Sequence, residues 1–166
     1  MIVFKDRISG DEMFADSYPM REIQDGFFYE VDGKWTTVGD VDIDIGANPS
    51  AEEAEEGVES TDRNTVDIIE SFRLNEQPTY DKKQFMGWAK EWSQSLLKKL
   101  SDEEAADFKA KSSAGIKFLL GKLKELQFFF GESMDTEATL CFAYYKDGAS
   151  DPTFIFFKHG LLEQKM

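Results

Sequence analysis

The stretch from residue 39 to residue 65, GDVDIDIGANPSAEEAEEGVESTDRNT, divides this chain into two parts that must assemble across it. It holds nine acidic residues, one basic residue and no aromatic side chain, and it has neither a helical nor a strand period. Such a run cannot bury enough apolar surface to offset its ordering entropy, so it reads as a long, flexible acidic loop. A loop of this length in a compact domain is expected to be functional, disordered or both. One word within it is not random: Ile45-Gly46-Ala47-Asn48-Pro49-Ser50-Ala51-Glu52.

The rest of the chain can build a core. With 166 residues, fifteen of them Phe and three Trp, it fits a single domain spanning 1–166 that buries about two-thirds of its unfolded surface. The net charge of −14 disfavours nucleic acid or an anionic membrane as the main partner. A single cysteine, Cys141, excludes an intrachain disulfide and suits a reducing compartment. The opening apolar run is too short for a signal peptide, and none approaches a membrane span. A cytoplasmic protein without membrane insertion is expected.

Residues 1–38 read as short strands, with Asp25-Gly26 and Asp32-Gly33 as hairpin-type turns. Val66–Leu74 reads as a further strand, closed by Pro78. From 81 to 125 the period changes. Phe85, Trp88, Ala89, Trp92, Leu96 and Leu100 recur at helical spacing, and Phe108, Ile116, Leu119, Leu120 and Leu123 mark a second helix. Asp81 with Gln84 and Ser101 with Glu104 form capping boxes at the two starts. Gly115 and Gly121 weaken the second helix and suggest close packing. Residues 126–158 return to strands. Strands segregated from a helical hairpin imply an α+β fold with a mostly antiparallel sheet. The hairpin carries ten Lys against seven acidic residues, a net of +3, which leaves −17 on the remainder. A basic hairpin on an acidic body bears on partners, although lysines also simply solvate helix faces.

Catalytic chemistry is sparse. The lone histidine, His159, has no second base beside it, and Cys141 lies in a strand pattern that suits a small buried residue. One Cys and one His exclude a structural zinc site. Gly115 to Lys122 is not a phosphate loop, because its spacing is one residue too long and it lies within a helix. Asp40, Asp42 and Asp44 alternate like the start of an EF-hand, but the glycine comes one place late and position twelve is Ala51. Weak Ca²⁺ binding on the order of 10⁻⁴–10⁻³ M is what such clustered carboxylates support; no cofactor is required.

Two words then combine. Ile45–Glu52 in an acidic loop resembles the first signature of the translationally controlled tumour protein family, and Leu126-Gln127-Phe128-Phe129-Phe130-Gly131-Glu132-Ser133-Met134 resembles its second. The opening MIVFKDRISGDEMFADSYPMREIQDGFFYEV and the closing FIFFKHGLLEQK are also similar to that family, so the resemblance covers essentially the whole chain. It implies a twisted, tent-like β body with a projecting antiparallel helical hairpin. It also implies a likeness to Rab-binding nucleotide-release chaperones and methionine sulfoxide reductases, whose zinc or catalytic cysteines this chain lacks.

The functions implied are Ca²⁺ binding, microtubule binding, growth and anti-apoptotic regulation, and nucleotide exchange on a Rheb-like small GTPase. For the GTPase the implied residues are Glu12, which matches the family's glutamate in the segment Asp11-Glu12-Met13, together with Asn48, Ser50 and Glu132. For microtubules, with their acidic tubulin tails, the candidates are Lys82, Lys83, Lys90, Lys98 and Lys99 on the first helix, and Lys109, Lys111, Lys117, Lys122 and Lys124 on the second. Three departures stand out. Asp44 lies near the family's phosphorylatable serine, although Ser50, Ser60 and Thr61 remain in acidic context. Met166 replaces a terminal cysteine. Pro19 opposes a free helix over Ser17–Gly26. The expectation is a growth-linked regulatory protein without a covalent catalytic site, binding partner proteins. A nucleotide-exchange factor and a chaperone-like protein are the alternatives.

Overall fold

The computed structural model describes residues 1–39 and 62–165. Eleven strands are described: β1 (Ile2–Asp6), β2 (Glu12–Ala15), β3 (Met20–Ile23), β4 (Phe28–Asp32), β5 (Trp35–Gly39), β6 (Asp62–Val66), β7 (Asn75–Gln77), β8 (Gln127–Phe130), β9 (Cys141–Tyr144), β10 (Thr153–Phe157) and β11 (Leu161–Lys165). The helices are α1 (Asp67–Phe72), α2 (Lys82–Leu97) and α3 (Asp102–Lys122). Every described strand pairing is antiparallel. A six-stranded sheet runs β3-β4-β10-β9-β8-β7, a three-stranded sheet runs β11-β1-β2, and β5 pairs with β6 as a separate ribbon.

Antiparallel sheets usually alternate apolar and polar residues, yet β8, β9 and β10 read QFFF, CFAY and TFIFF. The reason is that the six-stranded sheet is covered on both faces, a situation that produces continuous apolar runs. Phe28, Phe128, Phe142, Ile155 and Phe157 point into one core, which holds Phe85, Trp88, Trp92, Leu96, Phe108 and Leu119 of the hairpin. Their strand neighbours Tyr29, Phe129, Cys141, Phe154 and Phe156 point into a second core, with Phe4, Met13, Phe14 and Leu161 of the small sheet and Ile68 of α1. The molecule is therefore three layers, hairpin, large sheet, then small sheet with α1, and each fully buried Phe contributes roughly 1.5–3 kcal/mol.

Both capping boxes form. Asp81 Oδ1 accepts from the Gln84 backbone N–H at 2.7 Å, and Ser101 Oγ from that of Glu104 at 3.1 Å, with the reciprocal side-chain bonds also made. Gly115 allows the close packing expected of it: a Cβ there would overlap the Phe27 ring, whereas one at Gly121 would meet nothing within 4 Å. The strand expected over Val66–Leu74 is instead the end of β6, then α1, then the approach to β7. Ile68 and Phe72 are four apart, a spacing that fits both a strand face and a helix face. The helix wins because Asp67 sits in its first turn, and Arg73 adopts the left-handed conformation (φ 55°), so that Leu74 N–H bonds back to Ile69 O at 3.1 Å. Of the acidic loop expected over 39–65, Gly39 and residues 62–65 are strand residues instead, with Gly39 paired to Asp62 and Thr36 to Thr65, and the remainder lies outside the described residues. β3 and β5 fall within the stretch 1–38 read as short strands, though without bounds of their own, while β7, β11 and all of β6 but Val66 escaped the sequence reading.

The layers are tied by buried polar groups. Asp6, fully enclosed, accepts from Ile8 N–H (3.0 Å), Ser9 Oγ (2.9 Å), Thr139 N–H (3.0 Å) and Thr139 Oγ1 (2.8 Å). Thr139 Oγ1 in turn accepts from Trp92 Nε1 at 2.8 Å. Burial pushes the Asp6 carboxyl up, and these four hydrogen bonds offset only part of that. Glu30 behaves oppositely: burial alone would raise it, but Lys146, Tyr144 and Arg21 together hold it below the usual carboxylate range. Arg7 Nη2 meets Glu104 Oε2 at 3.1 Å, and His159 Nε2 meets Asp107 Oδ2 at 2.7 Å, which fastens α3 to the small sheet and to the turn after β10. At the far end, the half-exposed Trp35 donates through Nε1 to Tyr145 Oη at 3.1 Å.

Two predictions follow from the packing. Gly115→Ala gains helix propensity of up to about 1 kcal/mol but drives a methyl into Phe27, so a net loss of about 1–2 kcal/mol is expected in urea unfolding. Gly87→Ala, in open space at mid-α2, is expected to stabilise by about 0.5–1 kcal/mol. For His159, burial lowers the pKa below the ordinary 6.5, outweighing the pull of Asp107. Its buried Nδ1 has no partner, which suits the neutral ring with its proton on Nε2. Above 6.5 neither state is protonated; as pH falls through 6.5 the unfolded chain takes up a proton that the folded chain refuses, and stability falls. Melting temperature is expected to drop more steeply from about pH 7.5 to about pH 5.5 in the parent than in His159→Gln, which keeps a donor but does not titrate.

Candidate functional site

Four chain segments converge on a polar cleft of about 340 Å³: Lys5 from β1, Gly10 to Glu12 from the β1–β2 turn and start of β2, Ser71 to Arg73 from the end of α1, and Glu132 from the turn after β8. The β1–β2 turn is closed by Gly10 N–H to Asp6 O and Asp6 N–H to Asp11 O, both 2.8 Å. Gly10 has φ +83°, which glycine adopts without strain. Asp11 then reaches across 122 residues, its Oδ2 accepting from Ser133 Oγ at 2.7 Å and Ser133 N–H at 3.1 Å. A Cβ at position 131 would lie 2.6 Å from Asp11 Oδ2, so only glycine lets the two turns meet. Asn75 adds a bond from Nδ2 to Gly131 O at 2.8 Å.

The three carboxylates of the cleft differ in what they already do. Asp11 holds Ser133. Glu132 holds Arg73 through Oε2 and Nη1 at 3.0 Å, with both side chains mostly in solvent, so the pair is worth about 0–1 kcal/mol and is easily exchanged. Glu12 is exposed, and its carboxylate has neither a hydrogen-bond nor an ion-pair partner among the described residues. It is the carboxylate that this cleft leaves for an incoming group. The structure thus brings together Glu12 and Glu132. Asn48 and Ser50 lie outside the described residues, as do Asp40, Asp42 and Asp44. Among the described residues no group of three or more His, Cys, Asp or Glu could hold a metal ion.

The ten hairpin lysines do not form one surface. Lys111 is half-buried and paired with Asp107 at 3.0 Å, and Lys122 lies over the Tyr144 ring at 4.8 Å from its centroid. The other eight are exposed and spread over both helices and the turn between them. Cys141 is fully buried in β9, and burial pushes its thiol far up, which leaves it no thiolate character. Arg73, Lys5, Asp11, Asn75 and Gly131 escaped the sequence reading as site residues. Only Gly131 carried a signal, through its place in the second signature word. A second concavity of about 570 Å³ is bordered by Arg7, Glu104, Asp107 and His159, whose polar groups are already joined in the Arg7–Glu104 ion pair and the His159–Asp107 hydrogen bond. Among the described residues no helix is long and apolar enough to cross a membrane.

The chain resembles proteins of known structure throughout. It is 36% identical to the translationally controlled tumour-associated protein p23fyp of Schizosaccharomyces pombe, covering 100% of both chains with a TM-score of 0.80. It is 28% identical to the translationally controlled tumour protein of Caenorhabditis elegans, covering 100% of this chain and 99% of that one with a TM-score of 0.69. The family model described as translationally controlled tumour protein matches residues 1–162. Fold, signature words and near-complete coverage agree, and the chain belongs to the translationally controlled tumour protein family.

Proposed function

We propose that this protein is a regulatory interaction protein whose working surface is the Glu12 cleft, and that the cleft engages a Rheb-like small GTPase. The supporting observation is the exposed carboxylate of Glu12, which has no partner among the described residues, beside the loosely held Arg73–Glu132 pair. On a nucleotide-loaded GTPase, Glu12 competes with phosphate oxygens for Mg²⁺ or for the basic residue that holds the phosphates, and so speeds nucleotide release. Arg73 is then free to exchange Glu132 for an acidic group of the partner. No covalent step is involved.

A second reading rests on the eight exposed hairpin lysines, which face outward from an acidic body. Acidic tubulin tails would meet this surface through many weak contacts, each contributing about 0.2–1 kcal/mol. Lys111 and Lys122, held by Asp107 and Tyr144, take little part.

Release of a fluorescent guanine nucleotide from a Rheb-like GTPase is expected to accelerate with substoichiometric protein, and Glu12→Gln is expected to slow it at least about tenfold, the scale of one charge-assisted contact. An unchanged rate with Glu12→Gln, at unchanged melting temperature, refutes the cleft's role. For tubulin, co-sedimentation is expected to fade above physiological salt and to fall when Lys83, Lys98, Lys99 and Lys109 are reversed to Glu. Reversal of Lys111 and Lys122 is expected to matter less; equal losses from both sets contradict the exposed-face reading.

A further inference from the structure

The hairpin has an outer side whose floor meets the core and whose rim stays in solvent. On α2 the sheet takes Phe85, Trp88 and Trp92, while Met86, Lys90 and Ser93 form an outer stripe at i, i+4 and i+7 beside the buried Ala89, itself a core residue. On α3 the sheet takes Phe108 and Leu119, while Ser112, Ile116 and Leu120 lie four apart on the facing stripe, Ile116 and Leu120 half-buried against the same core with their outer edges open. Between the two stripes lies a solvent-open trough of about 340 Å³. Leu120 also borders a hollow of about 490 Å³ beneath Tyr80 and Leu123 at the base of the hairpin. The two concavities share that side chain and follow α3 from Ser112 to Lys124, a length of about 18 Å at 1.5 Å per residue, or roughly three helical turns.

The charges around the trough are one-sided. Lys90 from α2 and Lys117 from α3 stand on opposite banks, and Lys82 with Lys124 flank the basal hollow. The acidic residue among the lining groups is Asp81, and its carboxylate is already committed to capping α2 through Gln84 N–H. On a chain of net charge −14, a lysine-rimmed groove with an apolar floor selects strongly by charge. Met86, 43% exposed, supplies an adaptable apolar surface at its edge.

We infer that the α2–α3 trough is a docking site for an acidic amphipathic helix of a partner protein, about three turns long. The helix lays its apolar stripe on Met86, Ile116 and Leu120 and pairs its flanking carboxylates with Lys90 and Lys117. This is helix-in-groove recognition. It differs from attraction of an unstructured acidic tail, because it requires the apolar stripe as well as the charge. It is also spatially separate from the Glu12 cleft, so the two surfaces can be occupied together.

The test uses the full chain and fluorescence anisotropy with three synthetic helical probes. One has a Leu stripe flanked by Glu, one is the same composition scrambled, and one carries Lys in place of Glu. The first probe is expected to bind, and the other two at least about tenfold more weakly, since each lacks either the stripe or the charge match. Lys90→Glu with Lys117→Glu, and separately Ser113→Trp, are each expected to weaken the first probe by at least about tenfold. Ser113 is an exposed trough residue, so its replacement fills the groove from the rim and leaves the core intact. Unchanged far-ultraviolet circular dichroism and a cooperative melting transition verify that both variants fold. Equal binding of the scrambled probe would reduce the site to simple charge attraction and overturn the proposal. Indifference of the first probe to both variants would place its binding elsewhere and overturn it too. Self-association of the parent chain that Ser113→Trp abolishes would assign the trough to a second copy instead.

Discussion

The fold depends on a carboxylate that has no obvious reason to be inside it. Asp6 ends β1 fully enclosed, and four hydrogen bonds converge on it from its own turn and from Thr139. Thr139 passes the connection on to Trp92 in α2. One continuous chain of bonds therefore runs from the small sheet, past the edge of the large sheet, into the hairpin. A buried carboxylate with its partners removed is costly, by about 3–5 kcal/mol in comparable buried pairs. The three layers are thus locked in register by a group that tolerates only one arrangement, while the phenylalanine cores supply most of the driving force. The same carboxylate shapes the β1–β2 turn that presents Asp11 and Glu12, so the hairpin and the cleft are anchored to a common point.

The cleft itself is built by exclusion. Asp11 is used to hold Ser133, Gly131 is needed to let Asp11 approach, and Arg73 is left-handed so that α1 can stop where it does. What remains is Glu12, a carboxylate without a partner among the described residues. The Arg73–Glu132 pair beside it is exposed and salt-sensitive, so its contribution to stability is small. A surface assembled in this way can change partners with little effect on the body behind it.

The sequence made some of this plain and concealed the rest for physical reasons. The hairpin was legible because its inward stripe of Phe85, Trp88, Trp92 and Leu96 and its two capping boxes are local signals. The central strands were legible because β8 to β10 are nearly all apolar. The bounds of β3 and β5, and β11 altogether, were not, since MREI, WTTVG and LLEQK are edge or ribbon strands with mostly polar or exposed residues, and their pairing is decided by distant partners. Val66–Leu74 misled because a spacing of four suits both periods. Glu12 and Glu132 were reached through the family resemblance, but their meeting depends on contacts spanning more than a hundred residues. Nothing local to Asp11, Arg73 or Asn75 announces such contacts. The burial of Asp6 was equally invisible, because an aspartate after a short strand usually marks a turn.

Trp88 and Trp92 stack within the hairpin core with ring centroids 5.1 Å apart and an interplanar angle of 13°. Trp92 alone reaches the Asp6–Thr139 bond chain, while Trp88 donates to Ala138 O at 3.3 Å. Two indoles this close couple their electronic transitions, and the third, Trp35, is remote on the β5–β6 ribbon and half in solvent. The molecule therefore carries a built-in optical gauge. The coupled pair reports on the seating of the hairpin against the sheet, and the lone indole reports on the ribbon, so the two ends of the fold can be followed separately without adding a label.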